Sequence, residues 1–127
     1  MKYFIDNCIS FRFADMLRAL EVEIVALREE FPQDMADIAL FQELNGRKLA
    51  FVSTDTNQRT RVQEARALKS AGVTSLFIAP FFQKMQFWDQ AAWLVRRWPD
   101  IDRFATSMEL GVCAEIKHNG NAMIYPL

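Results

Sequence analysis

The chain has 127 residues, about half of them apolar, with 11 Phe and a net charge of −1. That length suits one compact domain with a sizeable core, and the composition excludes an intrinsically disordered tail or a strongly basic nucleic-acid arm. No apolar run approaches the ~20 residues of a bilayer span, and no secretion leader is read at the N-terminus; the expectation is a cytoplasmic protein, with its two cysteines, Cys8 and Cys113, reduced.

In chain order, "KYFI" reads as a strand. It is followed at once by Asp6 and Asn7, then by a helix over about residues 8–20 carrying Phe13, Leu17 and Leu20 on one face. "VEIVAL" reads as a second strand and "REEFPQDM" as a polar loop broken by Pro32. A second helix is expected over about 35–45, with Ile38, Phe41 and Leu44 on one side and Asn45-Gly46 at its end. "KLAFVST" is a third strand, "DTNQRT" a loop, and residues 60–71 a third helix stopped by Gly72. "VTSLFIA" is a fourth strand closed by Pro80. An amphipathic helix over 84–98 presents Phe87, Ala91, Leu94 and Trp98 on one face, and Pro99 is expected to open a further helix over 99–108. A hairpin turning at Asn119-Gly120 ends the chain.

Strands alternating with helices predict a mostly parallel sheet with helices on both faces, whose functional groups gather at the carboxyl ends of the strands. Asp6 and Asp55 each follow an apolar strand and so meet at that edge. A helix cap or a turn accounts for either acid singly; two such acids on neighbouring strands point further. Asp37 opens the second helix, where the helix dipole favours an acid, with Asp34 a rival in the same segment. Glu64 lies on the third helix, where a solvated position is the plain alternative. A set of carboxylates with no His or Cys partner suits Mg²⁺ or Mn²⁺ rather than zinc. Charge is also segregated: residues 1–45 carry nine acids against four Lys/Arg, while 46–84 carry two against seven. A Gly-rich phosphate loop is absent, and the only histidine, His118, falls in a turn, which disfavours a Cys8–His118 nucleophilic pair.

The stretches "FIDNCISFRFADMLRALEVEIVALREEF", "DMADIALFQELNGRKLAFVSTD" and "VQEARALKSAGVTSLFIAP" together resemble the PIN-like domain family, in particular the VapC-like toxin ribonucleases and their short relatives. The resemblance is strongest over residues 2–80, with 81–127 a helical and hairpin extension of one domain. It implies a three-layer α/β/α fold. It further implies an acid cluster of Asp6, Asp37, Asp55 and Glu64 holding Mg²⁺ or Mn²⁺, with Asn7 orienting a ligand or a water. The implied activity is metal-assisted hydrolysis of RNA, one ion activating a water and another stabilising the leaving 3′-oxygen. Arg59, Arg61 and Arg66 would then engage RNA phosphates. The implied partners are RNA and a cognate antitoxin; a homodimer through Phe87, Trp88 and Trp98 or the hairpin is a further expectation. Two alternatives stay open. One is a non-catalytic module that lost the metal, since "DIALFQEL" after Asp37 and "DTNQRT" around Asp55 depart from the family pattern. The other is a phosphatase for small substrates, against which no aspartyl nucleophile pattern follows Asp6.

Overall fold

The protein is described by a computed structural model covering residues 1–32, 34–44, 47, 49–56, 62–109 and 111–125. Its strands are β1 (Lys2–Ile5), β2 (Ile24–Ala26), β3 (Leu49–Ser53), β4 (Thr74–Ile78), β5 (Cys113–Ile116) and β6 (Ala122–Tyr125). Its helices are α1 (Phe11–Ala19), α2 (Leu27–Glu30), α3 (Asp37–Leu44), α4 (Val62–Ala71) and α5 (Phe87–Ser107). The six strands form one sheet in the order β2-β1-β3-β4-β5-β6, parallel throughout except for the antiparallel edge strand β6.

The alternating side chains of the strands build two cores. Tyr3, Ile5, Ala50, Val52, Leu76 and Ile78 face α1 and α5. Phe4, Leu49, Phe51 and Phe77 face α3 and α4. Because both faces are covered, β3 and β4 are buried along their whole length, which explains their nearly unbroken apolar sequences. This is the expected α/β/α sandwich.

Several boundaries differ from expectation, each for a local reason. Helix α1 starts at Phe11, not residue 8, because Ser10 is the cap, its hydroxyl accepting from the Arg12 amide at 3.3 Å. Strand β2 is only three residues long, and "LREE" is a short helix rather than loop, with the Glu29 carboxylate accepting from the Ala26 amide at 3.0 Å. In α3 the buried positions are Leu40, Phe41 and Leu44, while Ile38 is half-buried. Its expected Asn45-Gly46 ending lies outside the described residues. Gly72 ends α4 with φ +62°, a left-handed conformation that favours glycine.

The largest correction is α5. Pro99 does not open a new helix but sits inside one 21-residue helix. An internal proline removes one helical hydrogen bond at a cost of ~3 kcal/mol. Burial of Trp98, Ile101 and Ala105 on both sides of it offsets that, at roughly 1.5–3 kcal/mol for a large apolar side chain. The C-terminal hairpin turns at Asn119-Gly120 as expected. Its first strand, β5, is not an appendage, since it pairs in parallel with β4 and extends the main sheet.

Candidate active site

The chain runs from β1 out to β2 on one side, then crosses back to β3 on the other. The strand order therefore reverses at β1, and ligand crevices form at the carboxyl ends of strands at such a switch point. Asp6 is the first residue beyond β1. Its amide still donates to the Val52 carbonyl of β3 at 2.9 Å, which locks its backbone to the neighbouring strand.

The Asp6 side chain is 9 % exposed. Its Oδ1 accepts from the Asn7 amide at 2.8 Å and its Oδ2 from the Ser53 hydroxyl at 3.0 Å. Ser53, the last residue of β3, is fully buried, and its Oγ also accepts from the Asp55 amide at 3.0 Å. One hydroxyl thus ties the loop bearing Asp6 to the loop bearing Asp55. The Cys8 sulfur joins this knot: it lies 3.6 Å from Asp6 Oδ2 and 3.4 Å from Ser53 Oγ, and it accepts from the Thr54 amide at 3.3 Å. Gln83, just past β4, donates to the Thr54 hydroxyl at 2.9 Å, so the ends of three strands are linked.

Burial raises the pKa of Asp6 above the ordinary carboxylate value. The hydrogen bonds from Asn7 and Ser53 oppose that rise, and the nearby negative charge of Asp37 adds to it. Asp37, the first residue of α3, therefore lies within the electrostatic reach of Asp6. Cys8 is exposed as a residue, but desolvation around its sulfur, then the charge of Asp6, pushes its thiol up.

Asp55 is half-buried just past β3, and Glu64 is half-buried in the first turn of α4. Asp34 is exposed. The link between Asn7 and Asp6 runs through the Asn7 backbone amide, and Asn7 itself is exposed. Arg66 is exposed on α4, whereas Arg59 and Arg61 lie outside the described residues. Trp98 is buried in the core of its own chain and is not offered to a second copy.

Among the described residues, no group of three or more His, Cys, Asp or Glu is gathered closely enough to hold a metal. The oxygen donors at this edge still match a hard cation in kind, because Mg²⁺ keeps several waters and takes only one or two carboxylates plus substrate phosphates. Asp6, with Asp37 in its field, meets that requirement; a closed cage of protein ligands does not form among the described residues.

Sequence reasoning weighed the acids, considered Cys8 only as a nucleophile, and passed over Ser53, Thr54 and Gln83. The signal for Ser53 lay in "FVSTD": a small hydroxyl residue ending an apolar strand is placed to bind neighbouring loop ends. The contacts of Cys8 and Gln83 depend on chain crossings that no local pattern announces.

No helix among the described residues is long and apolar enough to cross a membrane. No curated protein and no solved structure gives a match to the chain. A family model described as a PIN like domain matches residues 1–80, the segment that builds β1 to β4 and the carboxyl edge with Asp6, Ser53 and Asp55. With that match spanning more than half its length, the chain belongs to the PIN-like domain family, whose members are generally nucleases.

Proposed function

We propose that this protein is a metal-dependent endoribonuclease that hydrolyses RNA at the carboxyl edge of its sheet, acting in the cytoplasm as the toxin of a toxin–antitoxin pair. The supporting observation is Asp6: a buried carboxylate at the switch point, in the field of Asp37 and joined through Ser53 to the loop of Asp55. In this reading Asp6 and Asp55 are the main ligands of Mg²⁺ or Mn²⁺, with Asp37 and Glu64 completing the site directly or through water. A divalent ion, when bound, activates water for attack and neutralises charge on the scissile phosphate. The chain's own part is positioning. Ser53 and the Asn7 amide fix the Asp6 carboxylate, and Arg66, with Arg59 and Arg61, draws in the phosphate backbone. A cognate antitoxin is the protein partner this reading calls for.

The test is Mn²⁺ titration calorimetry together with RNA cleavage in the parent, Asp6→Ala and Asp55→Ala. The parent is expected to bind Mn²⁺ and cleave RNA; both variants are expected to lose both while keeping a cooperative thermal transition. Undiminished cleavage by either variant would overturn the assignment of that residue, and by both, the site.

One observation favours a second reading, a non-catalytic RNA-binding module. Both Asp6 oxygens are already engaged within the chain, and no three-ligand group forms among the described residues. A parent that binds RNA but gives no Mn²⁺ isotherm would select it.

A further inference from the structure

Beside Asp6, a cavity of about 210 Å³ is lined by Asn7, Ile9, Ser10, Phe11, Ala26 and Arg28. It neighbours the acid through Asn7, which lines it and whose amide donates to Asp6. Of its lining residues, the Arg28 guanidinium lies 4.2 Å from the centre of the Phe11 ring. One residue along α1, the Arg12 guanidinium lies 6.0 Å from the ring centre of Phe87, at the start of α5. Phe87 stacks on the buried Phe13 at 4.8 Å and meets Trp88 edge-on at 6.4 Å. Trp88 is 83 % exposed, and Phe11 and Phe87 are also exposed.

Two features set this surface apart from an ordinary solvated face. Several arginines are paired with acids: Arg18 with Asp15 and Glu29, Arg47 with Glu30, Arg97 and Arg103 with Asp100. Arg12 and Arg28 lie over aromatic rings and make no salt bridge among the described residues. Further, large aromatic rings are left in water next to a polar site, although the same helix buries Trp93 and Trp98. Aromatic faces interleaved with guanidinium groups that make no salt bridge among the described residues match single-stranded nucleic acid, whose bases stack on rings and whose phosphates seek cations. Double-stranded RNA hides its base faces and cannot use such rings.

We propose that Phe11 with Arg28, and Phe87–Trp88 with Arg12, form a base-stacking track that leads a single strand to Asp6. One nucleobase enters the Phe11/Arg28 cavity beside the scissile position, and a second stacks on Trp88. Asp89, exposed in the same turn as Trp88, repels phosphate there, so Trp88 meets a base rather than the backbone. The track specifies a substrate class for the nuclease reading and rests on it.

The test uses the whole protein in EDTA, where metal-assisted cleavage is off, with three probes of equal length: a single-stranded oligoribonucleotide, its duplex, and an abasic sugar-phosphate strand. Trp88 is the exposed tryptophan, while Trp93 and Trp98 are buried, so quenching of intrinsic fluorescence reports on it. The base-bearing single strand is expected to quench and to bind more tightly than the duplex or the abasic strand. Trp88→Ala and Phe11→Ala should each weaken that strand by about 5- to 150-fold, the range of one lost base stack. Neither should change abasic binding, and Trp88→Phe should restore affinity. Arg12→Gln and Arg28→Gln should weaken all single strands and flatten the salt dependence. Equal binding of base-bearing and abasic strands, or no effect of Trp88→Ala and Phe11→Ala, overturns the track while cleavage by the parent keeps the nuclease reading. A parent that neither binds nor cleaves RNA overturns both.

Discussion

The two ends of β1 are handled in opposite ways. At its amino end, Tyr3 packs edge-on against Trp98 at 5.1 Å and donates its phenol to Asp102. Burial, then Asp102, drives the phenol's ionisation far above its ordinary range, so Tyr3 stays neutral. At the carboxyl end, Asp6 is buried with its charge opposed by burial and by Asp37. One end buries a group that is content to be neutral and gains stability. The other buries a group that, under the proposed function, must ionise to bind metal, and burial opposes that ionisation. Only two residues separate the two, because Tyr3 faces the α5 core and Asp6 the open edge of the sheet.

The sharpest way to break this contrast is at the anchor. Trp98→Ala is expected to destabilise by roughly 3–5 kcal/mol, the cost of emptying a buried aromatic site, seen as a lower urea midpoint. Mn²⁺ affinity of the folded fraction should be unchanged. Trp98→Phe should lose much less, since the indole N–H has no hydrogen-bond partner among the described residues and packing carries the site.

A smaller effect is expected at the carboxyl end. Ser53→Ala removes the donor to Asp6 and the acceptor for the Asp55 amide, each inside the protein. The expected loss is about 1–3 kcal/mol by chemical denaturation. Unlike Trp98→Ala, it should also reduce cleavage by the folded enzyme.

The smallest effect has the opposite sign. Asp6→Asn removes a charge that burial disfavours, and in metal-free buffer it should stabilise the fold by about 1 kcal/mol while abolishing cleavage. The sign follows from the raised pKa. The folded parent holds the Asp6 proton more tightly than the unfolded chain. Its contribution is therefore full below the unfolded pKa and is lost as pH rises through the folded value. The stability gap between variant and parent should thus widen as pH rises above the unfolded carboxylate range. A gap that narrows with pH would show that Asp6 is better stabilised as an anion than its surroundings imply.

Much of this architecture was readable in the amino-acid order. Apolar runs such as "LAFVS" and "TSLFI", spaced by helical patterns, predict buried parallel strands because only a sheet covered on both faces needs side chains apolar at every position. Asp6 and Asp55 at strand ends follow from the same pattern. Local signals failed where two elements compete for one segment. Pro99 reads as a helix start by itself, yet burial of Trp98 and Ile101 against the sheet holds α5 together through it. "LREE" reads as loop, yet Glu29 folds back onto the Ala26 amide.

The sequence by itself determined the α/β alternation, the two strand-end acids and the family, since periodicity and strand-end position are local properties. Tertiary structure decided what touches Asp6. Ser53 reaches it across the β1–β3 pairing, Asp37 acts on it through space from another helix, and α5 carries Trp88 to the side of α1. Those contacts join residues tens of positions apart, and only the strand order, with its reversal at β1, brings them together.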